Sequence, residues 1–325
     1  MDLAVYLPLL LPLCAAAGAW PLATRLPPMV ATWLLTSAVV TLAALSTAAL
    51  GLLTFTAVLR IPLVASLGHM SAAVFRREDP ASLSAALVAA ALLAVAVLAA
   101  ARTGWRRARA LVSAAQDARC LPGSGQVVVI PDSTADAYTM PGWPGRIVIT
   151  AGMLDALAPA EQQVLLAHER AHAAGHHYLF IALSHLGAAA NPLLRPVAAA
   201  VSYTVERWAD ETAAGRCGDR QLAARAVGRA ALASSRAGAP RGRAPATSTG
   251  IGGPVLSPVR RLTLRPGPVP RRVAALLAPA PSVRPLLVAA ATAVVLVSGM
   301  AALDAAYELH ALVELAQAPA LLAPS

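Results

Sequence analysis

Residues 161–172 read EQQVLLAHERAH, and residues 205–211 read VERWADE. The first stretch carries His168 and His172 four residues apart in an apolar, helix-patterned run. Their rings therefore project from nearly one face of a helix, close enough to hold a single ion. Glu169 lies next to that face, where it can act as a general base toward an attacking water. The spacing predicts a metal centre built on a helix.

The second stretch supplies the ligand that the first one lacks. Catalytic zinc usually binds three protein ligands, and two histidines with one glutamate are a common set. Asp210 lies one turn beyond Glu206 on the same predicted helix, so it can accept the free ring N–H of a ligand histidine. We therefore predict a Zn²⁺ site. The predicted ligands are His168, His172 and Glu206, and the predicted catalytic residues are Glu169 and Asp210.

A rival third ligand comes from the longer motif H-E-x-x-H-x-x-G-x-x-H. Gly175 fits this motif, but Tyr178 occupies the position of its last histidine, and His177 is one residue out of register. Glu206 is therefore preferred as the third ligand. We expect His176 and His177 at a polar helix end near the membrane or at the rim of the metal site.

The composition indicates a membrane protein. Hydrophobic residues make up 58% of the 325 residues and charged residues only 13%, with a mean hydropathy of +0.63. Four runs are apolar and long enough to cross a bilayer about 30 Å thick. They cover residues 3–24, 29–59, 80–101 and 285–303. The first run has Asp2 in place of a positive n-region, so we expect a retained anchor rather than a secretory signal.

The charge distribution predicts the topology. The chain has no lysine, and 22 of its 26 arginines lie between Arg102 and Arg284. Several of them directly follow the third run, so the positive-inside rule places the large loop in the cytoplasm of a multi-pass cell-membrane protein. Arginines 60, 76 and 77 would then be external, which is a mild conflict. The net charge of +10 favours anionic lipid headgroups as partners, and we expect no direct binding of nucleic acid.

One further uncharged stretch, residues 178–194, resembles a membrane span. A single crossing there would place His172 and Glu206 on opposite sides of the membrane, where they could not share an ion. Residues 178–201 are therefore either a buried core helix or a hairpin that turns near residues 187–196 and leaves on the side where it entered.

The fold class expected is a mainly α membrane protein. It has four transmembrane helices and a cytoplasmic α+β zincin-type catalytic domain inserted between helices 3 and 4. Residues 126–130 and 146–150 are β-branched runs that predict a small sheet, whose edge could pair with a substrate peptide. The expected domains are a three-helix membrane domain (1–101), a zinc metallopeptidase domain (102–235), an Arg/Pro/Gly-rich connector (236–284), and the fourth helix with a short tail (285–325).

The connector is expected to be largely flexible because it is rich in Arg, Pro, Gly and Ala. We expect Arg260, Arg261, Arg271 and Arg272 to face lipid or solvent. A role for one of these four arginines in binding the substrate or the oxyanion is the alternative.

Three motifs together resemble a known family. They are AYTMPGWPGRIVITAGMLDAL (137–157), EQQVLLAHERAH (161–172) and ERWADETA (206–213). They are similar to the catalytic domain of integral-membrane gluzincins, namely the BlaR/MecR-type antirepressor peptidases and the related HtpX-like and CAAX prenyl-type proteases. The similarity covers roughly residues 125–215. It implies the zinc ligands given above, with Glu169 as the base and Asp210 as the acid that orients a ligand histidine.

The layout of three spans, a loop and one span resembles the BlaR/MecR-type members. Sensor members continue into an extracellular penicillin-binding domain, whereas 22 residues follow Leu303 here, so we do not expect direct sensing of β-lactams. We predict a membrane-anchored zinc metalloendopeptidase that cuts a protein or peptide substrate, with a cytoplasmic transcriptional repressor as the first candidate. The alternatives are a quality-control protease for membrane proteins and a non-proteolytic zinc-binding signalling scaffold.

Overall fold

The computed structural model describes residues 6–59, 83–123, 125–142, 145–236, 249–250 and 268–321. Most of these residues are helical, and a small sheet follows the third helix in the chain. The elements are α1 (Leu7–Arg25), α2 (Pro28–Leu59), α3 (Leu83–Cys120), β1 (Val127–Ile130), β2 (Ala137–Met140), β3 (Arg146–Thr150), α4 (Ala151–Ala156), α5 (Pro159–Ala174), α6 (His177–Ala190), a 3₁₀ turn (Pro192–Leu194), α7 (Arg195–Cys217), α8 (Arg220–Arg236), β4 (Thr249–Gly250), α9 (Pro268–Leu277) and α10 (Pro285–Leu321).

Four helices are long and apolar enough to cross a membrane. These candidate spans are Leu7–Arg25, Pro28–Thr56, Ser84–Cys120 and Pro285–Ala311. They overlap the four runs that the sequence predicts. Large apolar side chains on α3 and α10 face outward, and Leu98 and Met300 are each 69% exposed. Such contiguous apolar surface suits contact with lipid rather than with water.

Helix α3 is longer than its predicted span and continues unbroken to Cys120. Arginine is a good helix former, so the arginines after residue 101 extend the helix instead of ending it. Arg146, at the start of β3, donates from Nη2 to the carbonyl oxygens of Pro122 and Gly123 at 2.9 and 2.8 Å. These hydrogen bonds join the end of α3 to the sheet. The positive charge of Arg146 also suits the negative end of the helix dipole.

Helices α6 and α7 form an antiparallel hairpin that packs on α1 and α2. At its tip, Asn191 donates from Nδ2 to Ser46 Oγ at 3.0 Å. The Ser46 hydroxyl in turn lies 2.7 Å from the carbonyl oxygen of Pro8 and donates to it. Of the two alternatives for residues 178–201, the structure therefore shows the hairpin. The chain enters and leaves it at the same end.

Helix α6 lies unusually close to α2 because Gly187 faces Val39. A Cβ atom at residue 187 would lie 2.5 Å from Val39 Cγ1 and 3.1 Å from the Val39 carbonyl oxygen. Small residues allow helix backbones to approach in this way. The position of the hairpin therefore depends on the missing side chain of Gly187.

The sheet has the strand order β1-β3-β2-β4. β1 and β3 pair in parallel, whereas β2 pairs antiparallel with β3 and with β4. The two predicted strands are present as β1 and β3. β2 was not predicted, because its sequence AYTM is short and runs directly into a Pro/Gly turn. Ile147 and Ile149 on β3 point into a core with Leu165 of α5.

The start of α5 is fixed by its own first turn. Pro159 occupies the first turn, and the Glu161 carboxylate accepts the backbone N–H of Ala158 at 3.0 Å. Proline and a glutamate are both favoured at this end of a helix. Val164 and Leu165 then face the core and are each 1% exposed. This arrangement sets the direction in which the histidines one turn later project.

The predicted connector is partly structured. Its residues 268–277 form α9, which packs on α7 and α8 and buries Leu276. This segment is therefore an ordered part of a connector that the sequence predicts to be largely flexible. The physical reason is an apolar stripe at Val269, Val273 and Leu276, whose spacing of three and four residues matches one helix face. Residues 237–248 and 251–267 of the connector lie outside the described residues.

We expect Gly187→Val to lower the free energy of unfolding by about 1–3 kcal/mol, because the new side chain overlaps Val39 and overpacking costs this much. Thermal unfolding of the detergent-solubilised protein measures the effect. Gly215→Val is the matched control, since a Cβ at this helical glycine has no atom within 4 Å. Equal melting temperatures of the two variants would contradict the close packing of α6 on α2.

Candidate metal centre

Helix α5 places His168 and His172 one turn apart on its buried face, and each is 1% exposed. Their Nε2 atoms face each other at 3.0 Å. Two buried ring nitrogens at this separation can both bind the same metal ion. The two rings of the H-E-x-x-H stretch thus lie on one face of a helix and close together.

Helix α7 brings Glu206 to the same point. Its carboxylate oxygens lie 3.8 Å from His168 Nε2 and 3.7 Å from His172 Nε2. Four tetrahedral ligands at zinc–ligand distances near 2.0–2.1 Å lie about 3.3 Å from one another. The three donor atoms are within 4.8 Å of one another, and their chemistry suits zinc. The residues therefore fit a Zn²⁺ ion, while their individual roles remain predictions.

Glu169 is completely buried beside this group. Its Oε2 accepts a hydrogen bond from the Thr139 hydroxyl of β2 at 2.8 Å, and among the described residues its Oε1 has no hydrogen-bond partner. Burial raises the pKa of Glu169 to about 7, although the positive charge of His168 and the bond from Thr139 oppose the shift. A carboxylate with a pKa near neutrality can both accept and return a proton.

Asp210 contacts the other nitrogen of a ligand histidine. Its Oδ1 lies 3.1 Å from His168 Nδ1, and both side chains are 1% exposed. Burial alone would raise the pKa of Asp210, but the charge and hydrogen bonds of Arg272 outweigh it and hold that pKa well below its usual range. Asp210 is therefore an anion next to the His168 ring, and its role in orienting that ring stays a prediction.

Arg272 corrects an expectation. The sequence analysis places it against lipid or solvent, but this side chain is 3% exposed and lies inside the site. Its Nε and Nη2 each donate to an oxygen of Asp210 at 2.7 Å, and its Nη1 lies 2.8 Å from Glu206 Oε2. The buried Asp210 and the partly buried Glu206 lie one turn apart and repel each other, and the buried Arg272 cation offsets this repulsion.

The other connector arginines behave differently. Arg271 is half-buried, and its guanidinium carbon lies 4.8 Å from the ring centroid of Trp20 on α1. This contact is a cation–π interaction, so Arg271 also packs on protein. Arg260 and Arg261 lie outside the described residues.

His177 lies at the rim of the site, one of the two positions expected for it. Its Nδ1 is 2.8 Å from Nδ1 of His172, and the residue is completely buried. Burial, with the positive charge of His168, lowers the pKa of His177 to about 3. Its neighbour His176 is half-buried and adopts a left-handed backbone conformation with φ of 46°.

Helix α7 is held at this position by the first two candidate spans. Arg207, buried next to Glu206, donates from Nη1 to the carbonyl oxygen of Ala23 at 2.9 Å, near the C-terminal end of α1. Thr32, in the first turns of α2, donates to Thr204 at 2.9 Å. The metal-binding group therefore lies at the end of the bundle where α1 stops and α2 starts.

A cavity of about 280 Å³ borders the site at Thr139. It is lined by the end of β2, the turn after it and the C-terminal end of α5, and none of its lining residues is an aspartate, a glutamate or an arginine. The sheet edge beside it is not free at Tyr138 and Thr139, where β4 pairs with β2. The chain itself thus occupies part of the edge proposed for a substrate strand.

Sequence reasoning missed Thr139 and Arg272 as members of the site. Arg272 carries a usable signal, because it lies three residues after Val269 and four before Leu276, in the middle of an apolar helix face. An arginine at such a position needs a buried anionic partner. Thr139 gives no comparable signal, since its contact with Glu169 joins residues 30 positions apart.

We expect Arg272→Met to lower the free energy of unfolding by about 3–5 kcal/mol, because it leaves the buried Asp210 and the partly buried Glu206 without their cation. Chemical denaturation of the metal-free protein in detergent measures the loss. Arg271→Met is the matched control and should cost about 0.5–1 kcal/mol through its lost contact with Trp20. A loss at residue 272 no larger than the loss at residue 271 would refute the buried ion-pair network.

Comparison with known proteins gives one match. Residues 100–189 match the model of Peptidase family M48. No curated protein and no solved structure matches the chain. The matched residues include His168, Glu169 and His172, whereas Glu206, Asp210 and Arg272 lie beyond them. Over α5 and its surroundings, the chain is thus similar to a family of zincin-type metallopeptidases and combines this similarity with four helices apolar enough to span a membrane.

Proposed function

We propose that this protein is a membrane-anchored, zinc-dependent endopeptidase. The observation that carries the proposal is the convergence of His168, His172 and Glu206 on one point, with the buried carboxylate of Glu169 beside it. The match to Peptidase family M48 over residues 100–189 independently supports peptidase chemistry.

A bound zinc ion would act as a Lewis acid that polarises the scissile carbonyl and activates water. Glu169 accepts the proton of the attacking water and returns it to the leaving nitrogen. Its Oε1, which has no partner among the described residues, is the atom available for this transfer, while Thr139 fixes Oε2. Asp210 holds the His168 ring, and the cation of Arg272 offsets the repulsion between Asp210 and Glu206.

The number of ligands supports a catalytic rather than a purely structural metal site. Structural zinc is normally enclosed by four protein ligands, whereas catalytic zinc keeps one position open. Among the described residues, the candidate group contains two histidines and one glutamate. This difference argues against a non-proteolytic signalling scaffold.

The substrate is proposed to be a protein segment close to the membrane surface on the cytoplasmic side. Arg207 and Thr32 tie the site-bearing helix α7 to the ends of two candidate spans. The arginines that follow the apolar part of α3 favour the cytoplasmic side for this end. The resemblance to BlaR/MecR-type peptidases further favours a transcriptional repressor as the substrate, with quality control of membrane proteins as the alternative.

We expect Glu169→Gln to retain zinc but to lower peptide cleavage at least about 100-fold, because general-base catalysis contributes at least this much. Bound zinc is measured by elemental analysis of the purified protein, and cleavage is measured on unfolded casein and on a candidate repressor. Glu211→Gln is the control. Glu211 lies on α7 but pairs with Arg220 outside the site, so this variant should cleave as the wild type does.

Two outcomes would contradict the proposal. Cleavage by Glu169→Gln at the wild-type rate would show that Glu169 is not the general base. A wild-type protein that binds no zinc would show that the three residues do not form a zinc site. Comparing the proteomes of cells that carry wild-type protein or Glu169→Gln separates the substrates. One accumulating repressor supports a regulatory peptidase, whereas many accumulating membrane proteins support a quality-control protease.

A further inference from the structure

We propose that His177 is a positioning residue for the metal centre: it accepts a hydrogen bond from Nδ1–H of His172 and thereby fixes the tautomer and ring orientation that present Nε2 of His172 to the metal. This inference rests on the proposed function, since it concerns the same site. It assigns a role to a histidine that the predicted ligand set leaves unused.

The first observation is the contact itself. The Nδ1 atoms of His172 and His177 lie 2.8 Å apart, and their rings are nearly perpendicular, at 88°. His172 can offer the lone pair of Nε2 to a metal only if its ring proton is on Nδ1. That proton then points to His177, which must accept it on Nδ1 and carry its own proton on Nε2. Each ligand histidine therefore has its own partner, Asp210 for His168 and His177 for His172.

The second observation is the backbone between the two histidines. Among the described residues, His176 is the only non-glycine residue with a positive φ, at 46°. Residues other than glycine rarely adopt this left-handed conformation, and it persists only where the surrounding structure enforces it. The left-handed conformation of His176 lies between the end of α5 and the start of α6, and it turns the chain so that His177 faces His172.

The third observation is the space made for the ring. A Cβ at Gly175 would lie 2.5 Å from His177 Nε2 and 2.6 Å from its Cδ2. Any side chain at residue 175 would therefore displace the imidazole. The backbone of Gly175 has a φ of −83°, which other residues also adopt, so its conformation does not require a glycine. The glycine is needed because its missing side chain leaves room for the His177 ring.

The fourth observation is the enclosure of His177 on its other side. The ring centroid of Trp208 on α7 lies 4.6 Å from that of His177. Within the described part of the chain, His177 Nε2 has no hydrogen-bond partner. The contact with His172 is therefore the one polar contact that holds this buried ring, which is the arrangement expected of a residue that orients a ligand.

The test measures zinc affinity of the full-length protein in detergent by competition with a chromophoric chelator. We expect His177→Phe to weaken zinc binding about 10–100-fold, the usual effect of losing a partner of a metal ligand. His177→Gln keeps an acceptor of similar reach and should bind zinc within a few-fold of the wild type. His185→Phe, a change of the same kind on an exposed histidine of α6, should leave the affinity unchanged.

Gly175→Ala provides a second route to the same result, because it retains His177 but pushes its ring away. It should also weaken zinc binding, and thermal unfolding of each metal-free variant confirms that it is folded. Wild-type affinity in His177→Phe would overturn the inference and leave the metal centre intact. Equal losses of zinc affinity in His177→Phe and His177→Gln would contradict the role of the hydrogen bond and would show that His177 acts only through packing. A wild-type protein without zinc affinity would overturn the proposed function as well.

Discussion

The site depends on placing two carboxylates of one helix, the buried Asp210 and the partly buried Glu206, next to each other. Glu206 and Asp210 are one turn apart on α7, and in a poorly solvated interior their charges repel strongly. Arg272 compensates for this repulsion by donating two hydrogen bonds to Asp210 and forming an ion pair with Glu206. The arrangement of the metal-binding group therefore also depends on the packing of α9 on α7. The centre is assembled from three distant segments of the chain.

The same helix joins the site to the candidate membrane bundle. Arg207, between the two carboxylates in sequence, donates to the carbonyl oxygen of Ala23 near the end of α1, and Thr204 accepts a hydrogen bond from Thr32 near the start of α2. Gly187 sets how closely the α6–α7 hairpin approaches α2. The packing of apolar helices and the alignment of the metal ligands are thus parts of one arrangement. A change in either alters the other.

Features that depend on local spacing could be predicted from the sequence. The pairs His168/His172 and Glu206/Asp210 follow from helical periodicity, and the candidate spans follow from apolar length. The choice between a core helix and a hairpin for residues 178–201 stayed open, because both bury the same apolar pattern. Arg272 was misjudged because its partners lie more than 60 residues away, and composition alone suggested a solvated segment. Whether a charge is buried depends on partners that no local pattern reveals.

The continuity of α3 has a mechanical consequence. This helix of 38 residues is about 57 Å long and shows no break where its apolar part gives way to arginines. Near its far end, Ala114 and Ala118 pack under Met140 and Val148 of the sheet. A change in the tilt of an unbroken helix would displace its far end most, and with it the sheet residues that pack there. Thr139, on the neighbouring strand β2, donates to the Glu169 carboxylate, so a displacement of the sheet would reach the proposed general base.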